Sequence, residues 1–218
     1  MRRNPLLMAA VLFLALGAVR AAAQSVHIKD LAAGKFLVAK RGLGDPNFAR
    51  TVILLVRYDE DSVLGLIVNR RTAIPLSRAF PEISEDHKDR SDPMYSGGPV
   101  EKSVILGLVR TAAKPEISER VLDEVSMISG KKILDKMLAA GTESSIFRAY
   151  LGYSGWTRRQ LQGEVELGGW YILPGDAASV FESNPEALWP RLILKTEERI
   201  ASRPALLPRH DLKLRHHL

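Results

Sequence analysis

A chain of 218 residues can bury one proper core without disulfides or metals to hold it. Its 46% hydrophobic and 26% charged residues are ordinary for a folded soluble protein, so disorder is not the expectation for its body. The absence of cysteine excludes thiol nucleophiles, cysteine-ligated zinc and iron–sulfur clusters, and the net charge of +6 shrinks once Arg2, Arg3 and Arg20 are set aside: 28 basic then face 25 acidic residues, too few for the basic face of a nucleic-acid binder.

Residues 1–23 read as a secretory signal. Arg2 and Arg3 open it, Leu6 to Val19 runs for 14 residues without a charge, and Ala21-Ala22-Ala23 supplies the small-x-small pattern of signal peptidase. The cut is expected after Ala23, giving a periplasmic or secreted protein that begins at Gln24. An uncleaved anchor is the alternative, but a span needs about 20 apolar residues and this run is shorter. No later segment approaches that length, so the mature chain is expected to carry no transmembrane span.

In the body, 24–202, Phe36 to Ala39 reads as a first strand. Asp45-Pro46, an N-cap residue followed by proline, is a start signal for a short helical turn. Thr51 to Tyr58 is β-branched and nearly continuous, as in a strand covered on both faces, and Val63 to Asn69 returns after the polar loop Asp59-Glu60-Asp61-Ser62 as its hairpin partner. Ile74 to Phe80 suits a short helix, Glu82 to Asp92 a surface loop, and Met94 to Ser96 a brief strand before the turn at Gly97-Gly98-Pro99. Strands follow at Val104 to Arg110 and Val121 to Val125. Lys131 to Ala140 is helical and closed by Gly141. Ile146 to Tyr153 is a strand, Thr157 and Gln160 form a capping box for a helix from Arg158 to Val165, and Trp170 to Leu173 is the last strand. Asn184 caps a final helix to about Ser202, and 203–218 is a basic tail with two prolines. No solenoid repeat is visible. The interleaving predicts an α/β fold: a single compact domain with a mixed, partly antiparallel sheet and helices packed on it.

Four strings then occur in order: Gly44-Asp45-Pro46-Asn47-Phe48 through Arg50-Thr51-Val52-Ile53-Leu54-Leu55; Gly65-Leu66-Ile67-Val68-Asn69; Gly97-Gly98-Pro99-Val100; and Leu151-Gly152-Tyr153-Ser154-Gly155-Trp156. Together with Gln160-Leu161, Glu164, and Trp170 before Pro174, they resemble the YqgE/AlgH family over roughly residues 34 to 200. The resemblance implies a compact α/β domain with a mixed sheet. It implies little about activity: some members are labelled transcriptional regulators through an effect on exopolysaccharide production, without an evident DNA-binding motif. Two departures stand out. Asn69-Arg70-Arg71 occupies the place where the family commonly has Asn-Lys-Pro, and the family is mostly expected in the cytosol, whereas this chain opens with a signal. Export would remove a direct role at DNA.

The sequence offers no assembled catalytic machinery. Ser154 lies between a predicted strand and a predicted helix, as a nucleophile elbow would, but Gly152-Tyr153-Ser154-Gly155-Trp156 departs from G-x-S-x-G. The histidines after it, His210, His216 and His217, are all in the tail, so no base is positioned, and a tight turn of small residues explains the string. Gly97-Gly98 could offer backbone N–H groups to an anion, but no Gly-Lys-Ser/Thr follows, and a turn requiring positive φ is the simpler reading. Asp59 and Asp61 lack the pattern of a calcium loop, and His216-His217 is too small a cluster for a metal. The doublets Lys131-Lys132 and Arg158-Arg159 are a weak nucleic-acid footprint.

The best polar candidates are Asp45 and Arg50, before the first long strand, and Asn69 and Arg70, at the end of the second. With Gly97 and Gly98 they form the expected ligand or partner site, the alternative being capping and backbone pairing. No cofactor, metal or catalytic residue is expected. The reading is a non-enzymatic accessory or regulatory protein of the envelope, acting on an unknown protein or small ligand; a cytosolic transcriptional regulator and an unrecognised hydrolase are the alternatives.

Overall fold

A computed structural model describes residues 28–79, 92–112, 118–130, 134 and 143–202. In chain order the strands are β1 (Lys35–Ala39), β2 (Val52–Tyr58), β3 (Val63–Ile67), β4 (Arg71–Pro75), β5 (Pro93–Ser96), β6 (Val100–Arg110), β7 (Ser118–Leu122), β8 (Val125–Ser129), β9 (Phe147–Trp156) and β10 (Trp170–Pro174). The helices are α1 (Leu76–Ala79), α2 (Arg158–Glu166), α3 (Ala177–Val180) and α4 (Leu188–Ala201), the last entered through a 3-10 turn at Pro185–Ala187.

These strands form one sheet in the order β10-β1-β2-β3-β9-β6-β8-β7, antiparallel throughout, with β4 paired to β5 beside it. Among the described residues the parallel contact is β5 with β9, where Tyr95 faces Tyr150, so the sheet is mixed, as expected. It curls into a half-barrel. Its far edge, β7, returns to the opposite end: Arg57 of β2 pairs with Glu119 of β7, and a Cβ on Gly34 would stand 2.7 Å from the Val121 carbonyl oxygen. Curling suits a strongly twisted sheet of this many strands.

Two clusters make up the core. The larger fills the curl with Leu37, Ile53, Leu55, Leu66, Tyr150, Trp156 and the inner face of α4. The smaller packs Phe147 and Ala149 of β9 against Leu76, Met94, Val109 and Ile128. Alternation along β9 sends Phe147 and Ala149 to one cluster and Tyr150 to the other, so this strand is buried on both faces. Residues Val52 to Val56 of β2 are likewise all buried, as their unbroken apolar run predicted.

Thr157 caps α2 by accepting the Gln160 N–H, and Leu161 and Val165, four apart, are its buried face. The helix ends in a Schellman turn: Gly168, at φ +82°, donates to the Val165 carbonyl and Gly169 to that of Glu164. That reversal returns the chain so that Trp170 meets Glu164.

Several boundaries differ from the sequence reading. β4 was not anticipated; it precedes α1, which begins at Leu76. The strand expected over 121–125 straddles a turn at Asp123-Glu124 between β7 and β8, because two acids separate two short apolar runs. Asn184 makes no side-chain cap, and the last helix is entered through a 3-10 turn at Pro185–Ala187. A short helix, α3, capped by Asp176, was missed. The segments expected as a signal (1–23), a surface loop (Glu82 to Asp92, except Asp92 itself), a helix (131–140, except Leu134) and a tail (203–218) lie outside the described residues.

Candidate functional site

The loop between β1 and β2 is built from its own sequence. Asp45 accepts the Asn47 N–H on its carboxylate at 2.8 Å, and its carbonyl accepts the N–H groups of Phe48 and Ala49, so Asp45-Pro46 opens a single helical turn. Phe48 is the turn's apolar anchor. Its ring stacks on Trp156 at 5.5 Å and meets the edge of Trp170 at 5.7 Å. Beneath them, Glu164 accepts the indole N–H of both tryptophans, Trp156 at 3.1 Å and Trp170 at 3.0 Å.

Asn69 and Arg70, just past β3, hold this loop from the other side. The buried Asn69 amide donates to the Arg50 carbonyl at 3.0 Å and accepts the Val52 N–H at 2.7 Å. Arg70 donates to the carbonyls of Asn47 and Ala49 at 2.9 and 3.4 Å, and partial burial lowers its pKa from the ordinary guanidinium value. The four polar candidates are therefore brought together, and Asp45, Asn69 and Arg70 spend their polar atoms on backbone. Arg50 does not. It is exposed, its backbone sits at φ +58°, and its guanidinium lies 6.0 Å from the centre of the Trp189 ring. The Trp189 indole in turn donates to the Ala39 carbonyl at 2.7 Å.

Gly97 and Gly98 sit beside this clamp and serve close approach. Gly97 accepts the Ile67 N–H at 3.0 Å and donates to the Leu151 carbonyl at 2.8 Å, while Ser96 N–H donates to the Arg70 carbonyl at 2.9 Å. A Cβ on Gly97 would stand 2.2 Å from the Gly152 oxygen, and one on Gly98 2.2 Å from the Tyr153 carbonyl carbon. Two backbones cross where β3 and β5 share one edge of β9, and only glycine fits there. With the Gly97 N–H committed to Leu151, the anion-cradle reading loses a donor. Gly152, at φ +65°, marks an irregularity in the β6–β9 pairing.

Ser154 is placed differently from the elbow considered above. It lies within β9, opposite Gly65, fully buried, and its hydroxyl donates to the Gly97 carbonyl at 3.2 Å. The strand continues to Trp156, so the small residues serve strand crossing rather than a tight turn. Among the described residues, no group of three His, Cys, Asp or Glu side chains could hold a metal ion, and no helix is long and apolar enough to cross a membrane.

Arg148 was missed. It is 4% exposed, in a strand otherwise apolar around it, and an arginine inside Phe147–Tyr150 was the available signal. Its guanidinium donates to the carbonyls of Val180 at 2.7 Å and Glu182 at 2.5 Å and lies against the rings of Tyr95 and Phe181. It forms part of the wall of a cavity of about 310 Å³. A larger cavity, about 490 Å³, lies at the seam of the half-barrel beside Gly34 and Gly175, but Asp176 there is spent as a helix cap and Glu124 pairs with Arg110.

Fold and site together define a class: a curled mixed-sheet domain whose sequence motifs knit strand crossings and one clamped loop, with buried hydroxyls and no assembled metal cluster among the described residues. The chain belongs to the AlgH-like family, whose model matches residues 36–201. A UPF0301 protein of Chlorobium luteolum is 32% identical over 166 residues, covering 76% of this chain and 86% of that relative. One from Azoarcus sp. is 32% identical over 154 residues, 69% of this chain and 81% of that protein. The solution structure of the AlgH protein from Pseudomonas aeruginosa superposes with a TM-score of 0.62 at 26% identity, over 80% of this chain and 95% of that one. The crystal structure of DIP2367 from Corynebacterium diphtheriae gives 0.62 at 22% identity, over 82% and 90%, a likeness of fold. The family resemblance and the α/β fold class are thereby established, and the family itself is uncharacterised.

Proposed function

We propose that this chain is a non-enzymatic accessory or regulatory protein of the cell envelope that works by binding, with the loop Asp45–Arg50 as its contact surface and Arg50 as the residue offered to an acidic partner. The observation that carries this reading is the state of Arg50. A non-glycine residue at positive φ costs roughly 1–3 kcal/mol and persists where its surroundings impose it. Here Asn69 and Arg70 impose it, and among the described residues no carboxylate pairs with the exposed guanidinium. Strain held in place behind an unspent charge is the pattern of a presented contact.

The non-enzymatic part is supported by the burial of Ser154, whose hydroxyl is tied to Gly97. Envelope placement is supported by the charged start, uncharged run and Ala21-Ala22-Ala23 of the first 23 residues.

The test is the variant Arg50→Gly, compared with the native protein after placing a photo-reactive residue at Asn47 in the producing cells. Glycine relieves the positive φ, so folding stability should hold or rise by up to about 1 kcal/mol, while the cross-linked species is lost. An unchanged cross-linking pattern in Arg50→Gly, or none in either protein, overturns the contact assignment. Fractionation of the same cells with intact mass tests the address: a species starting at Gln24 outside the cytosol supports it, and a full-length cytosolic species sinks it.

A further inference from the structure

We propose that the cavity walled by Arg71 and Arg148 is a second, independent binding site, for a small molecule carrying an oxyanion, carboxylate or phosphate. Its volume, about 310 Å³, lies at the small end of ligand pockets, which run from roughly 300 to 1,000 Å³.

Arg148 carries the inference. A cation that is 4% exposed is costly to bury unless it is paired, and among the described residues its guanidinium meets two carbonyls and no carboxylate. Its Nε–H is sealed from solvent and meets no carbonyl or carboxylate among them. The neighbouring Tyr150 does not supply the missing charge: burial, the main influence on it, raises its phenol pKa well above the ordinary value, so it stays neutral. The aromatic faces of Tyr95 and Phe181, 4.7 and 5.7 Å from the guanidinium carbon, fix the group without neutralising it. The cost of ordering this side chain is thus met in the folded protein, and an incoming anion would meet a positioned cation.

The rest of the wall fits an oxyanion. Arg71 is held by the Ser183 carbonyl and by a long contact, 3.7 Å, to the exposed Glu186 carboxylate, a weak pair from which it can turn. The Ser144 hydroxyl has no partner among the described residues, and those of Ser145 and Ser183 touch only nearby glutamates, Glu143 and Glu182. Asp92 also lines the cavity and has a partner of its own. Its charge favours a ligand with one anionic end, bound on the arginine side, over a multiply charged one.

The experiment is an amide NMR titration of the full chain with inorganic phosphate and, separately, with acetate, at constant ionic strength set by chloride. Saturable shifts at Ser144, Ser145 and Ser183 are expected, with the stronger of the two anions naming the source. Arg71→Ala, at an exposed side chain, should weaken binding about tenfold or more with the spectrum otherwise retained; Arg148→Lys should weaken it too if that variant folds. No saturable shift with either anion, or titrations that Arg71→Ala leaves unchanged, overturns the proposal. Because no residue of the Asp45–Arg50 loop is involved, its failure is separate from failure of the contact surface.

Discussion

Asn69 and Arg50, 19 residues apart in sequence, meet through a hydrogen bond of 3.0 Å from the Asn69 amide to the Arg50 carbonyl. The same amide accepts the N–H of Val52, so one side chain closes the start of β2 against the end of β3. Removing it leaves the buried Val52 N–H unpaired, a loss of about 1–3 kcal/mol. Asn69→Ala should therefore lower the urea midpoint without changing the slope. A variant as stable as the native protein would show that water replaces the amide.

The crossing at Gly97 gives a sharper contrast. A methyl group there would stand 2.2 Å from the Gly152 carbonyl oxygen, backbone that cannot swing aside as the Leu66 side chain can, so Gly97→Ala should cost about 3 kcal/mol or more, or leave the protein insoluble. Gly44, also within the family motif, has nothing within 4 Å of an added Cβ, and Gly44→Ala should fall within about 0.5 kcal/mol of native. Thermal melts of the pair measure both. Equal tolerance at the two positions would contradict the crossing geometry.

Glu164 joins two indoles through one carboxylate. Hydrogen bonds to a charged group contribute about 1.5–3 kcal/mol, and an amide offers one acceptor oxygen in place of two. Glu164→Gln should destabilise by about 1–3 kcal/mol and alter the tryptophan emission, since two of the protein's three tryptophans lose their shared partner. Unchanged emission would place the carboxylate elsewhere in solution.

Asp59 supplies a pH dependence. Its carboxylate accepts the Ser62 N–H at 2.9 Å across the β2–β3 turn, and that bond, ahead of every other influence, holds its pKa below the ordinary carboxylate value. A depressed folded-state pKa means the contribution is present at neutral pH and lost as pH falls through that value. Asp59→Ala should be less stable than native at neutral pH, with the difference closing in acid. Denaturation of both proteins at the two pH values checks it, and a difference that persists in acid would point to packing instead of charge.

Much of this architecture was legible in the residues. Unbroken β-branched runs identify β2 as a strand covered on both faces, four polar residues between two such runs specify the hairpin, and Thr157 marks the start of α2. These are local properties: hydrophobic period, turn chemistry and capping act within a few residues, so a linear reading recovers them. The family motifs were legible too, but not their purpose.

What tertiary structure decided is which distant segments share a place. Gly97, Gly98 and Gly152 look like turn glycines in sequence; in the fold, two backbones touch at them. Ser154 reads as part of a tight turn of small residues and is buried inside β9. Arg148 reads as one more charge in a chain rich in them, and becomes a confined cation because α3 and the Tyr95 ring close over it. Asp45, Arg50, Asn69 and Arg70 were expected together, yet only the folded backbone shows that three of them are spent on carbonyls and N–H groups while Arg50 is left outward. The physical reason is common to all four cases. Backbone crossings, desolvation and charge compensation depend on separation in space, and sequence spacing carries that only where the chain is locally regular.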